Sequence, residues 1–193
     1  MIKMIDFCDL SLWNSDKQAN ACIHDPIVAI KATEGASITD PKFFKRSRLF
    51  KDQVVIAYHF CRFDKNYNKV IDETNNYLSA LKRAGRPFVM ALDFEGPCKS
   101  VPRDITALLQ MLKQITTKTG KEPYVYINES MLKQANQQGY DFNWLWIAKW
   151  SKTKPRHACG IWQFTNQYKG EKLDGNHFMV DDIDLLKRHE VTV

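Results

Sequence analysis

Five short apolar runs alternate with five stretches of helical character along the first two thirds of the chain. The apolar runs cover residues 4–8, 26–32, 53–60, 87–94 and 123–127, and the helical stretches cover residues 16–22, 41–51, 69–84, 103–119 and 129–138. Parallel strands need a crossover connection, usually a helix, and a strand that is covered on both faces is continuously apolar. The alternation therefore predicts a parallel sheet covered by helices.

The last third of the chain follows a different pattern. Residues 144–148, 160–165 and 177–180 predict three more strands, and the gaps between them are too short for regular crossover helices. Eight strands with helices after the first five only make an irregular TIM-like (β/α)5(β)3 barrel, an α/β fold. The 193 residues lie just below the ~200 residues of the smallest regular (β/α)8 barrels. A doubly wound open sheet is the alternative. We expect residues 1–193 to form a single catalytic domain.

Charge and hydropathy argue against two classes of partner. The formal net charge is +6, but basic and acidic residues are interleaved, which is typical of solvated faces rather than of a nucleic-acid surface. No apolar run reaches 18 residues, and the first 25 residues carry several charges and no unbroken apolar stretch. The sequence therefore predicts neither membrane insertion nor a signal peptide.

Cysteine and histidine patterns give no indication of a metal or a cofactor. The five cysteines are widely spaced without a CxxC pair, and the five histidines form no HExxH motif. This pattern favours free thiols made in a reducing cytoplasm over a disulfide framework or a metal site. Glycine-rich GxGxxG and Walker A loops are absent as well, so we expect no cofactor.

Polar side chains stand where the predicted strands end, the place where barrels of this kind carry their functional groups. They are Asp9, Glu34, His59, Asp93, Glu95, Tyr126, Asn128, Lys149, Trp150, Gln163 and one of Asp181 and Asp182. Asp93 and Glu95 form the most informative pair, because residues i and i+2 of a strand point to one face about 6.5 Å apart.

Two acids in one desolvated pocket cannot both ionise at their usual pKa, so one of them becomes available as a general acid at neutral pH. Glycosidic cleavage needs such an acid for the leaving oxygen and a carboxylate for the positive charge that develops on the sugar. An exposed Trp150 near the carboxylates would add a stacking surface for a sugar ring, whereas Trp144 and Trp146 are expected in the core.

Seven segments in chain order resemble the glycoside hydrolase family 25 lysozymes, the Chalaropsis-type muramidases. They are DLSLWN (9–14), KATEG (31–35), AYHF (57–60), ALDFE (91–95), PYVYIN (123–128), WIA (146–148) and IWQF (161–164). The resemblance implies a barrel of eight strands and five helices. It also implies hydrolysis of the β-1,4 bond between N-acetylmuramic acid and N-acetylglucosamine in bacterial peptidoglycan.

The resemblance also implies residue roles. Glu95 corresponds to the general acid, and Asp93 to a partner that supports charge at the anomeric carbon or orients the substrate's N-acetyl group. Two further acids are expected, Asp9 and a C-terminal aspartate. The family's VDLN segment is matched by Val180-Asp181-Asp182-Ile183-Asp184, which favours Asp182 and leaves Asp181 as the alternative. The saccharide contacts are expected at Tyr58, Tyr126, Trp150, Glu34 and Gln163. The spacing of the acids does not decide between retention and inversion.

Peptidoglycan is the expected partner of a protein that acts as a monomer. Without a signal peptide, such an enzyme is released through a membrane lesion made by a holin, as a phage endolysin is, or injected as a toxin that has an immunity partner. The positive charge would assist approach to an anionic wall. A peptidoglycan-binding barrel without turnover is the alternative function, and the intact Asp93 and Glu95 argue against it. A metal-dependent phosphate esterase would need a further cluster of acids and histidines.

Overall fold

The computed structural model describes residues 4–63, 68–95, 101–180 and 182–193. Their strands are β1 (Ile5–Leu10), β2 (Ile27–Glu34), β3 (Ile38–Thr39), β4 (Val54–Phe60), β5 (Val89–Asp93), β6 (Tyr124–Asn128), β7 (Leu145–Ala148), β8 (Ile161–Thr165) and β9 (Asp174–Phe178). Their helices are α1 (Asp16–Ala21), α2 (Phe43–Leu49), α3 (Asn68–Ala84), α4 (Val101–Thr119), α5 (Glu129–Gln137) and α6 (Ile183–Lys187). A single 3-10 turn spans Tyr168–Gly170.

Eight of these strands close into a barrel in the order β1, β9, β8, β7, β6, β5, β4 and β2, and β2 pairs again with β1. Neighbouring strands are parallel except around β9, which lies antiparallel between β8 and β1. The short strand β3 forms a hairpin with β2 outside the ring. One helix follows each of the first five barrel strands, and β7, β8 and β9 are joined without crossover helices. The predicted (β/α)5(β)3 fold class is therefore confirmed.

Local sequence signals set the helix starts that follow β1 and β6. Ser15 and Gln18 form a capping box at α1, in which the Gln18 amide donates to Ser15 Oγ and the Ser15 amide donates to Gln18 Oε1. Asn128, the last residue of β6, caps α5 by accepting a hydrogen bond from the Met131 amide at 2.9 Å. Such caps satisfy amides that the first helical turn leaves without partners.

The core has two layers, as alternation along a barrel strand requires. The barrel interior is filled by one set of side chains that includes Phe7, Ile27, Ile56, Val89 and Trp146. A larger layer lies between the outer barrel face and the helices, and its members include Leu10, Ile30, Leu92, Leu108 and Ile127. No helix in the described ranges has the length and apolar character that a bilayer crossing requires.

Two expectations from the sequence are corrected. The last barrel strand spans residues 174–178 instead of 177–180. Cys8 and Cys22 form a disulfide between β1 and the residue after α1, with Cα atoms 6.4 Å apart and both side chains buried. The expectation of free thiols throughout is thus wrong, and the argument for a reducing compartment loses its basis. Cys61 and Cys159 form no disulfide, and Cys98 lies outside the described residues.

Candidate active site

A cavity of about 220 Å³ opens at the end of the barrel where the parallel strands finish. Every barrel strand contributes at least one lining residue, and β9 contributes from its beginning because it runs antiparallel. The lining residues are Asp9, Ser11, Trp13, Asn14, Lys31, Tyr58, Phe60, Asp93, Glu95, Tyr126, Trp146, Gln163 and Asp174. This is the end of the barrel at which enzymes of this architecture place their reacting groups.

Four carboxyl groups meet in this cavity. Asp93 is the last residue of β5, and Glu95 lies two residues farther along the chain. Asp9 on β1 and Asp174 on β9 are direct partners in the antiparallel register that closes the barrel. Four acids converge because the closing strand begins at the same end of the barrel at which β1 and β5 finish.

The Asp9 carboxylate is held by two side-chain amides. Its Oδ2 accepts hydrogen bonds from Asn176 Nδ2 at 2.8 Å and from Gln163 Nε2 at 3.1 Å. These bonds favour the ionised form and lower the pKa of Asp9, although burial has the larger effect and raises that pKa overall.

Aromatic donors fix the orientation of these two amides. The Trp146 indole donates to Asn176 Oδ1 at 2.8 Å. Gln163 Oε1 accepts from the Tyr126 hydroxyl at 3.1 Å and from the Trp150 indole at 2.9 Å. With the oxygens occupied, each amide has only its NH₂ group to direct at Asp9, which fixes how the carboxylate is held.

The other three acids also have raised pKa values. Burial raises the pKa of Asp93 well above its usual range, and the nearby Glu95 adds to the shift. Burial also raises the pKa of Glu95, with a contribution from the charge of Asp9. The pKa of Asp174 rises to about 7, mainly through burial and then through the charges of Asp9 and Glu95. The Lys31 ammonium acts in the opposite direction on Asp93 and Glu95, and lowers their pKa values.

Asp93 has one further property that matters for ligand binding. Its Oδ1 is buried and accepts no hydrogen bond from any group in the described parts of the chain. A buried acceptor without a partner is unfavourable in an empty protein and becomes satisfied when a ligand supplies a donor. The cavity thus combines four carboxyl groups of raised pKa, one of them held by two amides, with one buried acceptor that has no partner in the described residues.

The residues predicted from the sequence fall into two groups in the structure. Asp9, Asp93, Glu95, Tyr58, Tyr126 and Gln163 line the cavity. Trp150 lies beyond that lining, with 61% of its surface exposed, and reaches the site only through its bond to Gln163. Glu34 does not line the cavity, because its carboxylate pairs with Arg62 and lies 2.5 Å from Lys31 Nζ.

Asp182 is not brought into the cavity. It is exposed and caps α6, where its Oδ1 accepts a hydrogen bond from the Asp184 amide at 2.9 Å. Asp181 lies outside the described residues. The fourth carboxyl group of the cavity is Asp174, and its signal was present in the sequence. Asp174-Gly175-Asn176 matches the Asp-x-Asn of the VDLN pattern better than Asp182-Ile183-Asp184 does, since it includes the asparagine.

Reasoning from the sequence also missed two residues of other types. Lys31 is nearly buried, and no rule of spacing distinguishes it from the surface lysines. Trp13 lines the cavity with 83% of its surface exposed, which places a large apolar ring at the entrance. His59 is not part of the site. It is buried behind the sheet, where its ring nitrogens contact Thr33 Oγ1 at 2.8 Å and Glu73 Oε2 at 3.0 Å.

Comparison with known proteins gives relatives of similar sequence. YegX of Escherichia coli K12, an uncharacterised protein, is 26% identical over 185 residues, which cover 90% of this chain and 66% of YegX. The chain therefore spans just under two thirds of the curated relatives it matches.

Solved structures agree over nearly the whole chain. The catalytic domain of endolysin ply40 from Listeria monocytogenes bacteriophage P40 superposes with a TM-score of 0.77 at 21% identity, covering 97% of each chain. A muramidase from Trichobolus zukalii gives a TM-score of 0.73 at 20% identity, covering 96% of this chain and 98% of its own. At these identities the structures show a common fold.

The sequence itself matches the model of a family described as "Glycosyl hydrolases family 25" over residues 8–173. This match begins within β1 and ends one residue before Asp174, so it includes three of the four cavity acids. The chain belongs to glycosyl hydrolase family 25.

Proposed function

We propose that the protein is an N-acetylmuramidase that hydrolyses the β-1,4 bond between N-acetylmuramic acid and N-acetylglucosamine in peptidoglycan. The observation that carries the proposal is the pairing of Asp93 and Glu95, both with raised pKa values, in a cavity that also contains the amide-held Asp9. The family supports it, as do similar structures of a muramidase and an endolysin.

Glu95 is the proposed general acid. It is the less buried member of the pair, and its raised pKa favours the protonated form that a general acid needs. It donates that proton to the glycosidic oxygen as the bond to the anomeric carbon breaks. A water molecule then supplies the hydroxyl at the anomeric carbon, and its proton restores Glu95.

Asp93 is the proposed partner of Glu95, and it acts on the sugar that carries the anomeric carbon. Its unused Oδ1 is an acceptor for the amide N–H of the 2-acetamido group, which would orient that group toward the anomeric carbon. Asp9, held by two donors, would supply negative charge opposite the oxocarbenium-like transition state. Whether configuration is retained or inverted depends on whether the acetamido oxygen or water attacks first.

Aromatic residues provide the proposed saccharide contacts. Tyr58 and Tyr126 line the cavity, and the exposed ring of Trp13 stands at its entrance, where it can stack on a sugar face. Trp150 would contact the glycan strand just outside the cavity. Glu34 has no such role in the proposal, because both of its oxygens are in ion pairs.

A peptidoglycan substrate puts the proposed site of action outside the cytoplasmic membrane. The Cys8–Cys22 disulfide fits an oxidising compartment of that kind. Action as a monomer and delivery through a holin lesion, or by injection with an immunity partner, stay predictions.

The products of digestion test the proposal. Purified peptidoglycan is incubated with the protein, the fragments are reduced with borohydride, and mass spectrometry identifies the reduced terminal sugar. We expect reduced muramic acid. Reduced glucosamine would place the cut at the other glycosidic bond, and co-sedimentation with the wall without any release would favour the binding barrel.

A further inference from the structure

A second cleft lies on the outer wall of the barrel beside the catalytic cavity. It has a volume of about 610 Å³. Its lining combines aromatic rings with two lysines, and the residues that matter here are Trp150, Lys152, Lys154, Trp162, Phe164 and His177. The proposed catalytic mechanism uses none of the side chains on this wall other than Trp150.

The cleft lies where β7, β8 and β9 follow one another without crossover helices. Ile161 and Gln163 point into the barrel, so Trp162 and Phe164 point outward on the same strand. The Phe164 ring stacks on His177 of β9, with ring centroids 3.8 Å apart and the planes 5° from parallel. Trp162 packs against His177 with ring centroids 5.1 Å apart and planes tilted by 58°, so the three rings together form an aromatic floor.

Positive charge lines one side of this floor. Lys152 and Lys154 are exposed, and neither forms an ion pair with any residue in the described parts of the chain. Their loop is ordered by its own hydrogen bonds, from Thr153 N to Ser151 Oγ at 3.0 Å and from Lys149 Nζ to the Lys154 carbonyl at 3.0 Å. The two ammonium groups are therefore presented beside the rings without a partner of opposite charge among the described residues.

Trp150 connects the cleft to the catalytic cavity. Its ring lines the cleft, and its indole N–H donates to Gln163 Oε1, which belongs to the cavity wall. A polymer that leaves the cavity across Trp150 would continue directly onto the outer wall. The cleft is thus placed to contact a part of the substrate that lies beyond the bond being cleaved.

We propose that this cleft binds the stem peptide that muramic acid carries, a proposal that rests on the muramidase function. A stem peptide combines small apolar residues with free carboxylates. The apolar residues match the rings of Trp162 and Phe164, and the carboxylates match Lys152 and Lys154. A phosphate-rich wall polymer would pair with the lysines and leave the aromatic floor without an apolar partner.

The test compares two substrates that differ only in the stem. One is uncross-linked peptidoglycan strands, and the other is the same strands after an amidase has removed the peptides. Wild type is compared with Lys152→Gln/Lys154→Gln and with a control, Lys82→Gln/Lys133→Gln, which removes two exposed charges elsewhere. From the strength of exposed ion pairs, we expect the cleft variant to lose about fivefold in kcat/KM on stem-bearing strands.

On stripped strands the cleft variant should match the wild type, and the control should match it on both substrates. An equal loss on the two substrates, or no loss on stem-bearing strands, would overturn the stem proposal. So would a dimer in sedimentation equilibrium that the cleft variant abolishes, because a second copy would then occupy the cleft. If the wild type cleaves neither substrate, the muramidase function fails, and binding of the two polymers by the same variants still decides the stem contact.

Discussion

Asn176 Nδ2 lies 2.8 Å from Asp9 Oδ2, and this hydrogen bond joins the last strand of the barrel to the first inside the catalytic cavity. The backbones of β1 and β9 pair in the same region, with Asp9 opposite Asp174. The contact therefore links closure of the barrel to the charge state of a candidate catalytic residue. Residues of the two strands that close the barrel therefore also determine the environment of Asp9.

Replacing Asn176 with alanine should shift the acid limb of the pH–rate profile upward. Asn176 lowers the pKa of Asp9, so its loss favours the protonated form and activity begins at a higher pH. We expect a shift of about one pH unit, the equivalent of one hydrogen bond to a charged group. Asn143→Ala, which removes an exposed amide, is the control. An unchanged acid limb in Asn176→Ala would show that Asp9 does not govern it.

Asp174 and Asp182 make a matched pair for locating the fourth acid. Asp174→Asn should lower kcat on peptidoglycan by about 10²-fold or more, in the range of a group acting in proton transfer or charge stabilisation. Asp182→Asn should leave kcat unchanged, because Asp182 caps α6 and asparagine is an equally good cap. Initial rates of reducing-end release make the comparison, and the reverse ranking would assign the fourth acid to Asp182.

The same Asp174→Asn variant should change how stability depends on pH. The pKa of Asp174 in the folded chain is about 7, above the value of 3.8 for a free aspartate. The folded state then binds the extra proton, so the free energy of unfolding falls as pH rises from about 4 to about 7. We expect the variant to be more stable than wild type at pH 8 by about 1–2 kcal/mol, with the advantage gone at pH 4. Urea unfolding at the two pH values measures it, and a constant difference would contradict the shifted pKa.

Reduction of the Cys8–Cys22 disulfide should destabilise the protein. The bond closes a loop with a sequence separation of 14, for which loss of the constraint costs about 3 kcal/mol. Urea unfolding with and without a phosphine reductant measures the effect, and Cys8→Ala/Cys22→Ala is the control that should not respond to the reductant. Alkylation of all five cysteines in unfolded, unreduced protein would show that the disulfide is absent.

Much of the barrel follows from the sequence because parallel strands buried on both faces are continuously apolar. The five crossover units are such cases, and Asp93 and Glu95 could be placed at the cavity because they lie at the end of one of these strands. Strand β9 is different. Near the cavity, the β9 side chains that point into the barrel are those of Asp174 and Asn176. Polar residues therefore stand at the positions where apolar residues would have indicated a strand.

Gly175 also made this strand harder to predict from the sequence, because glycine within a strand indicates a bulge or a close approach by a neighbouring group. In the structure a Cβ at Gly175 would lie 2.7 Å from the Tyr168 ring, so the glycine permits close packing. The disulfide could not be predicted either. Cys8 and Cys22 meet because the outward face of β1 packs near the end of α1, and no spacing rule for cysteines expresses that contact.

The rate of peptidoglycan cleavage by Glu95→Gln tests the central claim most directly. Glutamine keeps the size of the side chain and cannot donate an acidic proton, so we expect the release of reducing ends to fall by about 10³-fold. Binding to the wall and the urea midpoint should stay close to wild type. Glu122→Gln, which changes a glutamate outside the cavity, should keep the wild-type rate. A Glu95→Gln variant that retains more than about a tenth of the wild-type rate would contradict the assignment of Glu95 as the general acid.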